Sequence, residues 1–279
     1  MKGKRRPNGV AAVAGVGTAL LGLVLGLAVQ GEGHAGSVAE APKPQQKARP
    51  ATPPPPKPTA RSISHETETG AAGKGAAGTG AAGTGTAGKS GKAVALTLDD
   101  GPHPVWTPKM LDLLDRYRIK ATFCLIGPNA EKNPKLVRRI VADGHRLCNH
   151  SVSHDTAMDG KSVAYQEQEI RDAKRMIDKA SGGAPLRYYR APGGAFTPDS
   201  RAYAAKNGMR PLGWTADSDD WRLPGVDAIV NTVQREVGNG ARIILTHDGG
   251  GDRAETYAAL QRLLPSLREQ GYSFTFPQA

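Results

Sequence analysis

The chain has 279 residues and a formal net charge of +11 at pH 7, a length that suits one domain with extensions or two small domains. Residues 1–92 hold 12 Lys and Arg against 4 Asp and Glu, and residues 93–279 hold 25 against 22. All 14 aromatic residues lie beyond residue 92. Because a segment without aromatic residues buries too little apolar surface to form a core, we expect one folded domain over 93–279. Its small charge excess argues against nucleic-acid binding.

The first 41 residues have the pattern of an export signal. A basic cluster at 2–6 precedes an uncharged apolar run over 9–29, and a basic end of this kind stays in the cytoplasm. The run is long enough to span a bilayer, but small residues at 33–35 and 39–41 also offer cleavage sites. We therefore expect an exported protein, either secreted or anchored to the outer face of the cytoplasmic membrane.

Residues 42–92 are predicted to be a disordered linker. Pro53 to Pro56 favour extended polyproline, and residues 70–91 repeat Gly, Ala and Thr in the manner of a flexible coil. Such a spacer could hold a domain clear of a membrane. Its lysines suit contact with an anionic cell wall, although simple solubility explains them equally well.

From Ala93 onward the pattern changes to alternating strands and helices. Strands are predicted at 93–98, 121–126, 145–149, 186–190, 209–213, 242–246 and 272–276. Amphipathic helices are predicted between most of them, with apolar positions at Met110, Leu113, Leu114 and Tyr117 in the first, at 136–141 in the second, and later at 226–237 and 257–267. This alternation indicates an α/β fold of mostly parallel strands, either a barrel or an open sheet. In both, sites form at the carboxyl ends of the strands.

Ionisable residues follow most of the predicted strands. His150 and His154 are four residues apart, and two histidines with one carboxylate leave open positions on a catalytic Zn²⁺ or Fe²⁺ ion. The carboxylate is either Asp99 or Asp100, a pair whose joint ionisation a cation would explain. The alternative is two polar loop histidines and an ordinary acidic turn.

Three further features point to chemistry at the strand ends. Arg190 has a planar fork that can clamp a carboxylate such as Asp99, and the glycines after it can present N–H groups to an oxyanion. Trp221 follows an acidic segment and is typical of a sugar site. His247, with Asp248 as a carboxylate neighbour, is a candidate general acid. A surface arginine, a solvated acidic loop and a core histidine are the plain alternatives.

Five segments resemble, in order, the motifs of the polysaccharide deacetylase family, also called the NodB-homology family or carbohydrate esterase family 4. They are residues 97–102, 150–154, 190–194, 217–221 and 245–247. The resemblance spans residues 93 to about 276 and implies a distorted (β/α) barrel. It implies a metal-dependent hydrolase that removes N-acetyl groups from an N-acetylglucosamine polysaccharide, such as peptidoglycan or chitin oligosaccharide. An O-acetyl esterase on xylan or wall sugars, and a non-catalytic glycan-binding module, are the alternatives.

The resemblance implies a metal centre and a general base. Asp100, His150 and His154 would hold a divalent ion, with zinc expected and Co, Fe, Ni or Mn as alternatives. Asp99 would be the base that activates the attacking water, and Arg190 would hold Asp99 in place. The implied partners are an acetylated polysaccharide, the cell wall and, through the N-terminal segment, the membrane; we expect a monomer.

The resemblance also implies the acid and the substrate contacts. His247 would protonate the leaving amine, and Asp220 would adjust the pKa of His247. Trp221 and Leu245 would line the pocket for the acetyl methyl group. Gly193 would offer its backbone N–H to the oxyanion.

Two positions depart from the family pattern, and two cysteines form a candidate pair. Leu98 replaces the usual Phe, which we expect to be harmless, and Gly193 stands where the family usually has Tyr or Phe. The missing ring affects the expected substrate contacts rather than the chemistry. Cys124 and Cys148 lie at or near the ends of neighbouring predicted strands, so in an exported protein we expect them to form a disulfide, with metal binding by Cys148 as the alternative.

Overall fold

The computed structural model describes residues 92–277, so the predicted export segment and all but the last residue of the predicted linker lie outside the described residues. The described part contains eight strands: β1 (Ala93–Gly101), β2 (Thr122–Leu125), β3 (Arg146–Asn149), β4 (Leu186–Tyr189), β5 (Arg210–Pro211), β6 (Ala216–Asp217), β7 (Ile243–His247) and β8 (Ser273–Phe274).

These strands form one parallel sheet in the order β5-β4-β3-β2-β1-β7-β6, and β8 pairs with the start of β1. The two edge strands, β5 and β6, do not pair with each other within residues 92–277. The curled, unclosed sheet confirms the prediction of a distorted (β/α) barrel with parallel strands.

Within the described residues, seven α-helices connect the strands: α1 (Trp106–Arg116), α2 (Gly127–Lys132), α3 (Pro134–Ala142), α4 (Val163–Ser181), α5 (Pro198–Lys206), α6 (Val226–Gly238) and α7 (Ala254–Glu269). Their boundaries follow local signals. The Ser162 hydroxyl accepts the Tyr165 N–H at the start of α4, and Gly182 takes a left-handed conformation at its end. Met110, Leu113 and Leu114 of α1 are buried, as their spacing predicts.

The structure differs from the predicted elements in several places. Strand β1 continues through Gly101, where a turn was expected, and the strand predicted over 272–276 is reduced to Ser273–Phe274. Residues 127 and 128, read as a turn, begin the short helix α2, because proline is well tolerated in the first turn of a helix. The strand predicted over 209–213 is reduced to Arg210 and Pro211, and Pro211 has no N–H for the ladder. Strand β6 was not predicted, since two residues carry no periodicity.

The sheet brings the two cysteines together and places the ends of the described residues away from the carboxyl edge. Cys124 on β2 lies directly opposite Cys148 on β3, and the two are joined by a disulfide. Ala93 pairs with Ser273, so the described chain begins and ends near the amino end of the sheet. Within residues 92–277, none of the helices is long and apolar enough to cross a membrane.

Candidate active site

The ionisable residues singled out in the sequence meet at the carboxyl edge of the sheet. Asp99 and Asp100 lie at the end of β1, His150 follows β3, Arg190 follows β4, and His247 ends β7. All five side chains are largely buried. Parallel strands place their carboxyl ends at one edge, which is why residues so distant in sequence come into contact.

Asp100, His150 and His154 present three ligand atoms that lie within 4.8 Å of one another. The Nε2 atoms of His150 and His154 are 3.4 Å and 3.2 Å from Oδ1 of Asp100. Nδ1 of His150 lies 2.8 Å from the Arg190 carbonyl, to which it donates, and this contact turns Nε2 toward Asp100. Oδ1 of Asp100 is buried and has no hydrogen-bond partner among the described residues. One carboxylate oxygen and two imidazole nitrogens are donor types that suit a divalent metal ion.

The geometry also separates the two aspartates, which the residue pattern alone left open. Both histidines approach Asp100, whereas only His150 approaches Asp99, with Nε2 3.6 Å from Oδ2. Burial raises the pKa of Asp100, but the adjacent imidazoles outweigh burial and hold that pKa well below its usual range. Asp100 is therefore ionised at neutral pH, as a metal ligand must be.

The loop that carries the two histidines is held by a buried glutamate on α4. Oε2 of Glu169 accepts the backbone N–H groups of Val152 and Ser153 at 2.9 Å and 2.8 Å. These two amides lie between the histidines, so Glu169 fixes the backbone that spaces the imidazoles. Sequence reasoning missed this residue, because nothing in the spacing of a helical glutamate shows which loop it will meet.

Arg190 is fully buried and contacts Asp99. Nη1 of Arg190 donates to Oδ1 of Asp99 at 2.6 Å and to Thr97 at 2.9 Å, while Nε and Nη2 donate to the carbonyls of Leu212 and Gly213. The clamp on Asp99 is thus made through one nitrogen rather than through the whole fork. Oδ2 of Asp99 remains on the side that faces His150.

His247 and Asp220 form the second charged pair. Nδ1 of His247 donates to Oδ1 of Asp220 at 2.7 Å, and the His247 backbone N–H donates to Oδ2 at 2.9 Å. Burial lowers the pKa of His247, but the Asp220 carboxylate outweighs burial and raises this pKa to about 9. Burial opposes the ionisation of Asp220, yet His247 and two hydroxyl donors lower its pKa. The imidazole is therefore charged at neutral pH, with its proton on Nε2 free to be donated.

Two partners of Asp220 escaped the sequence analysis. Ser218 donates its hydroxyl to Oδ1 at 2.9 Å, and Thr256 donates its hydroxyl to Oδ2 at 2.8 Å. Ser218 lies within the acidic segment, so its proximity could have been guessed from sequence. Thr256 comes from the first turn of α7, and only the packing of that helix reveals it.

Asp248 is not the hydrogen-bond partner of His247, although it follows that residue directly. Successive side chains of a strand point to opposite faces, and Asp248 accepts the Thr107 hydroxyl at 2.5 Å on the side of α1. Burial raises the pKa of Asp248 to about 7. The carboxylate that mainly raises the pKa of His247 is therefore Asp220 rather than its chain neighbour.

The remaining predicted residues border the same region. Leu245 is buried on β7, while Trp221 is 36% exposed and has the Arg222 guanidinium 4.0 Å above its ring. Gly193 has a φ of 59°, and a Cβ there would lie 3.1 Å from Cβ of Thr156. A ring at this position would therefore be strained and crowded, so Thr156 occupies part of the space that the family's aromatic residue would need.

Backbone strain is concentrated around these loops. Six non-glycine residues of the described chain have a positive φ, and five of them are site residues or lie within three residues of one. The five are Asp100, Ser151, His154, Asp219 and Leu223. Strained backbone of this kind persists where the surrounding structure holds it and clusters at functional sites.

Comparison with known proteins agrees with this geometry. Residues 86–212 match the family model described as polysaccharide deacetylase. The chain is 40% identical over 191 residues to a chitooligosaccharide deacetylase of Sinorhizobium fredii, covering 64% of this chain and 87% of that protein. It is also 40% identical over 185 residues to a peptidoglycan-N-acetylglucosamine deacetylase of Bacillus cereus, covering 66% and 85%.

A solved structure with the same fold is a pseudoenzyme. The crystal structure of a CE4 family pseudoenzyme from Bacillus anthracis matches with a TM-score of 0.61 and 29% identity, over 66% of this chain and 63% of that chain. Similarity at this level establishes the family but leaves activity to be measured. By its sequence, its sheet and its relatives, the chain belongs to the polysaccharide deacetylase family.

Proposed function

We propose that the protein is a metal-dependent hydrolase that removes N-acetyl groups from N-acetylglucosamine residues of chitooligosaccharide or peptidoglycan. The observation that carries the proposal is the meeting of three metal-ligand atoms with an Asp99–Arg190 pair and a His247–Asp220 pair at one edge of the sheet. A lectin needs neither a base nor an acid, so this arrangement favours catalysis over a glycan-binding module.

Asp100, His150 and His154 are the residues that would hold the metal. When bound there, a divalent ion supplies Lewis acidity, which polarises an acyl oxygen and makes a nearby water more acidic. Zinc fits an oxygen and two nitrogens best, and Co, Fe, Ni or Mn are further candidates. We propose no other side chain of the protein as a metal ligand.

Asp99 is the general base of the proposed reaction. Arg190 occupies Oδ1 of Asp99, so Oδ2, which faces His150, is the oxygen left to accept a proton from water. The water oxygen then forms a bond to the acyl carbon. The Gly193 N–H has no hydrogen-bond partner among the described residues and is the proposed donor to the developing oxyanion.

His247 is the general acid of the proposed reaction. An amine leaves poorly unless it is protonated, and the charged imidazole can donate its Nε2 proton as the carbon–nitrogen bond breaks. The products are acetate and a free amino sugar. An alcohol leaves more easily than an amine, so a histidine held in the charged form favours an amide over an O-acetyl ester as substrate.

The decisive test is acetate release from N-acetylated chitooligosaccharides, peptidoglycan and O-acetylated xylan, with apo protein and with defined metals. We expect release from the N-acetylated glycans only after metal is added, and none from Asp99→Asn. Asp227→Asn is the matched control, because Asp227 forms an exposed ion pair with Arg262. Metal-loaded protein that releases no acetate from any of these glycans would refute the proposal; release from xylan alone would favour the esterase.

We also propose that the protein is exported and acts on cell-wall glycan, either secreted or anchored through its first 41 residues. The basic cluster and apolar run support export, and the Cys124–Cys148 disulfide is compatible with an oxidising compartment. Fractionation of expressing cells into cytoplasm, membrane and medium tests this: protein confined to the cytoplasm would contradict it.

A further inference from the structure

Asp100, the carboxylate of the proposed metal site, has an unusual backbone conformation. Asp100 has a φ of 71°, and the pairing of β1 with β2 shifts register between Asp99 and Gly101. A left-handed conformation is unfavourable for a residue other than glycine, so this bulge must be held by its surroundings. Its shape decides where both carboxylates of the site point.

Contacts from the segment after β7 hold the bulge. The Asp99 carbonyl accepts the N–H groups of Asp248 and Gly249 at 3.0 Å and 3.2 Å. The Asp248 carboxyl lies directly against Gly101, where a Cβ would come within 2.5 Å of both of its oxygens. Asp248 therefore supports the bulge on both sides of Asp100, through its backbone at residue 99 and through its side chain at residue 101.

The Asp248 carboxyl is in turn held by Thr107. The Thr107 hydroxyl donates to Oδ2 of Asp248 at 2.5 Å and accepts the His103 N–H at 2.7 Å. Both Thr107 and Asp248 are fully buried. Among residues 92–277, Oδ1 of Asp248 has no hydrogen-bond partner, and no basic side chain forms a direct ion pair with this carboxyl. Burying a carboxyl that lacks a basic partner and a full set of hydrogen bonds is unfavourable. Stability alone therefore does not explain why an aspartate stands at position 248.

We propose that Thr107 and Asp248 form a positioning pair, which fixes the bulge so that the Asp100 carboxylate meets His150 and His154. The pair touches neither substrate nor metal and acts through the backbone of residues 99–101. This inference rests on the proposed function, because it gives the bulge the task of presenting a metal ligand.

The experiment compares Thr107→Val with Thr107→Ser, which keeps the hydroxyl. Thr122→Val is the matched control: Thr122 is also fully buried, but its hydroxyl has no hydrogen-bond partner among the described residues. Two readouts are independent of turnover: the Zn²⁺ affinity of apo protein by competition with a chelating dye, and hydrogen exchange of the residue 248 and 249 amides. Asp248→Asn gives a second test of the carboxyl itself.

We expect Thr107→Val to weaken Zn²⁺ binding by about 10-fold or more, the usual effect of removing an outer support of a ligand, and to speed exchange of both amides. Thr107→Ser and Thr122→Val should remain within about twofold of the unchanged protein, a range well below that effect. Unchanged Zn²⁺ affinity in Thr107→Val, with or without loss of thermal stability, overturns the inference. A parent protein that binds no Zn²⁺ and releases no acetate is a different result, since it overturns the proposed function.

Discussion

Replacing Asp220 by asparagine should separate the proposed acid from the rest of the site. All four groups that contact the Asp220 carboxylate donate to it: two hydroxyls, the His247 backbone N–H and Nδ1 of His247. An amide has one oxygen and one NH₂ group, so it cannot accept from all four. The pKa of His247 rises from 6.5 to about 9 in the folded protein, equivalent to about 3 kcal/mol in favour of the imidazolium.

Without the Asp220 carboxylate, burial lowers the pKa of His247 while Asp99 and Asp100 still raise it, so this pKa should fall back toward its ordinary value of 6.5. At pH 8, a pKa of about 9 leaves about nine-tenths of the imidazole charged, whereas a pKa of 6.5 leaves about 3%. The kcat of Asp220→Asn should therefore be about 30-fold lower at pH 8, but within about twofold at pH 6.

The assay is a pH profile of acetate release, with the His247 ring signals followed by NMR in the same buffers. Asp219→Asn is the matched control, because the Asp219 carboxyl faces Arg222 rather than His247. A loss of kcat that is equal at pH 6 and pH 8, or a His247 that still titrates near pH 9 in Asp220→Asn, would refute the reasoning. The raised pKa of His247 also makes the stability of the fold depend on pH. Its contribution to the free energy of unfolding is fully present below pH 6.5 and disappears as the pH rises through 9.

Three further substitutions test other parts of the site. Arg190→Met should destabilise the fold by about 3–5 kcal/mol in urea unfolding, because it leaves Asp99 buried without its cation; a loss below about 1 kcal/mol would contradict this. Replacing Cys124 and Cys148 by serine opens a link across 24 residues and should cost about 3 kcal/mol, measured the same way; unchanged unfolding would exclude a stabilising link. Glu169→Ala should weaken Zn²⁺ binding about 10-fold, while Glu169→Gln, which keeps an acceptor oxygen, should not. Equal Zn²⁺ affinities in the two variants would show that the loop keeps its conformation without the Glu169 oxygen.

The sequence predicts the site well where topology alone decides proximity. Asp100, His150 and His247 each stand at or just after the end of a strand, and parallel strands end at one edge. Short apolar runs closed by turn residues are enough to locate those ends. Thus the class of fold and the neighbourhood of the candidate residues followed from local patterns.

What the sequence could not predict depends on helix packing and on side-chain direction. Thr256 and Glu169 reach the site from helices, and nothing in their spacing identifies the loop that each contacts. The Asp248 side chain points to α1 although His247 is its neighbour in the chain. The space around Gly193 was likewise hidden, because the Thr156 side chain that borders it comes from a different loop.

The pairing of Ala93 with Ser273 has a practical consequence for experiments on solid substrates. Whatever precedes residue 92 is joined to the domain at the amino end of β1, while the candidate active site lies at the carboxyl edge. Coupling the protein to a bead or sensor surface at residue 92, next to the amino end of β1, should thus leave the reactive edge turned outward. Insoluble chitin or whole sacculi could then be presented to the immobilised protein without the support obstructing their approach.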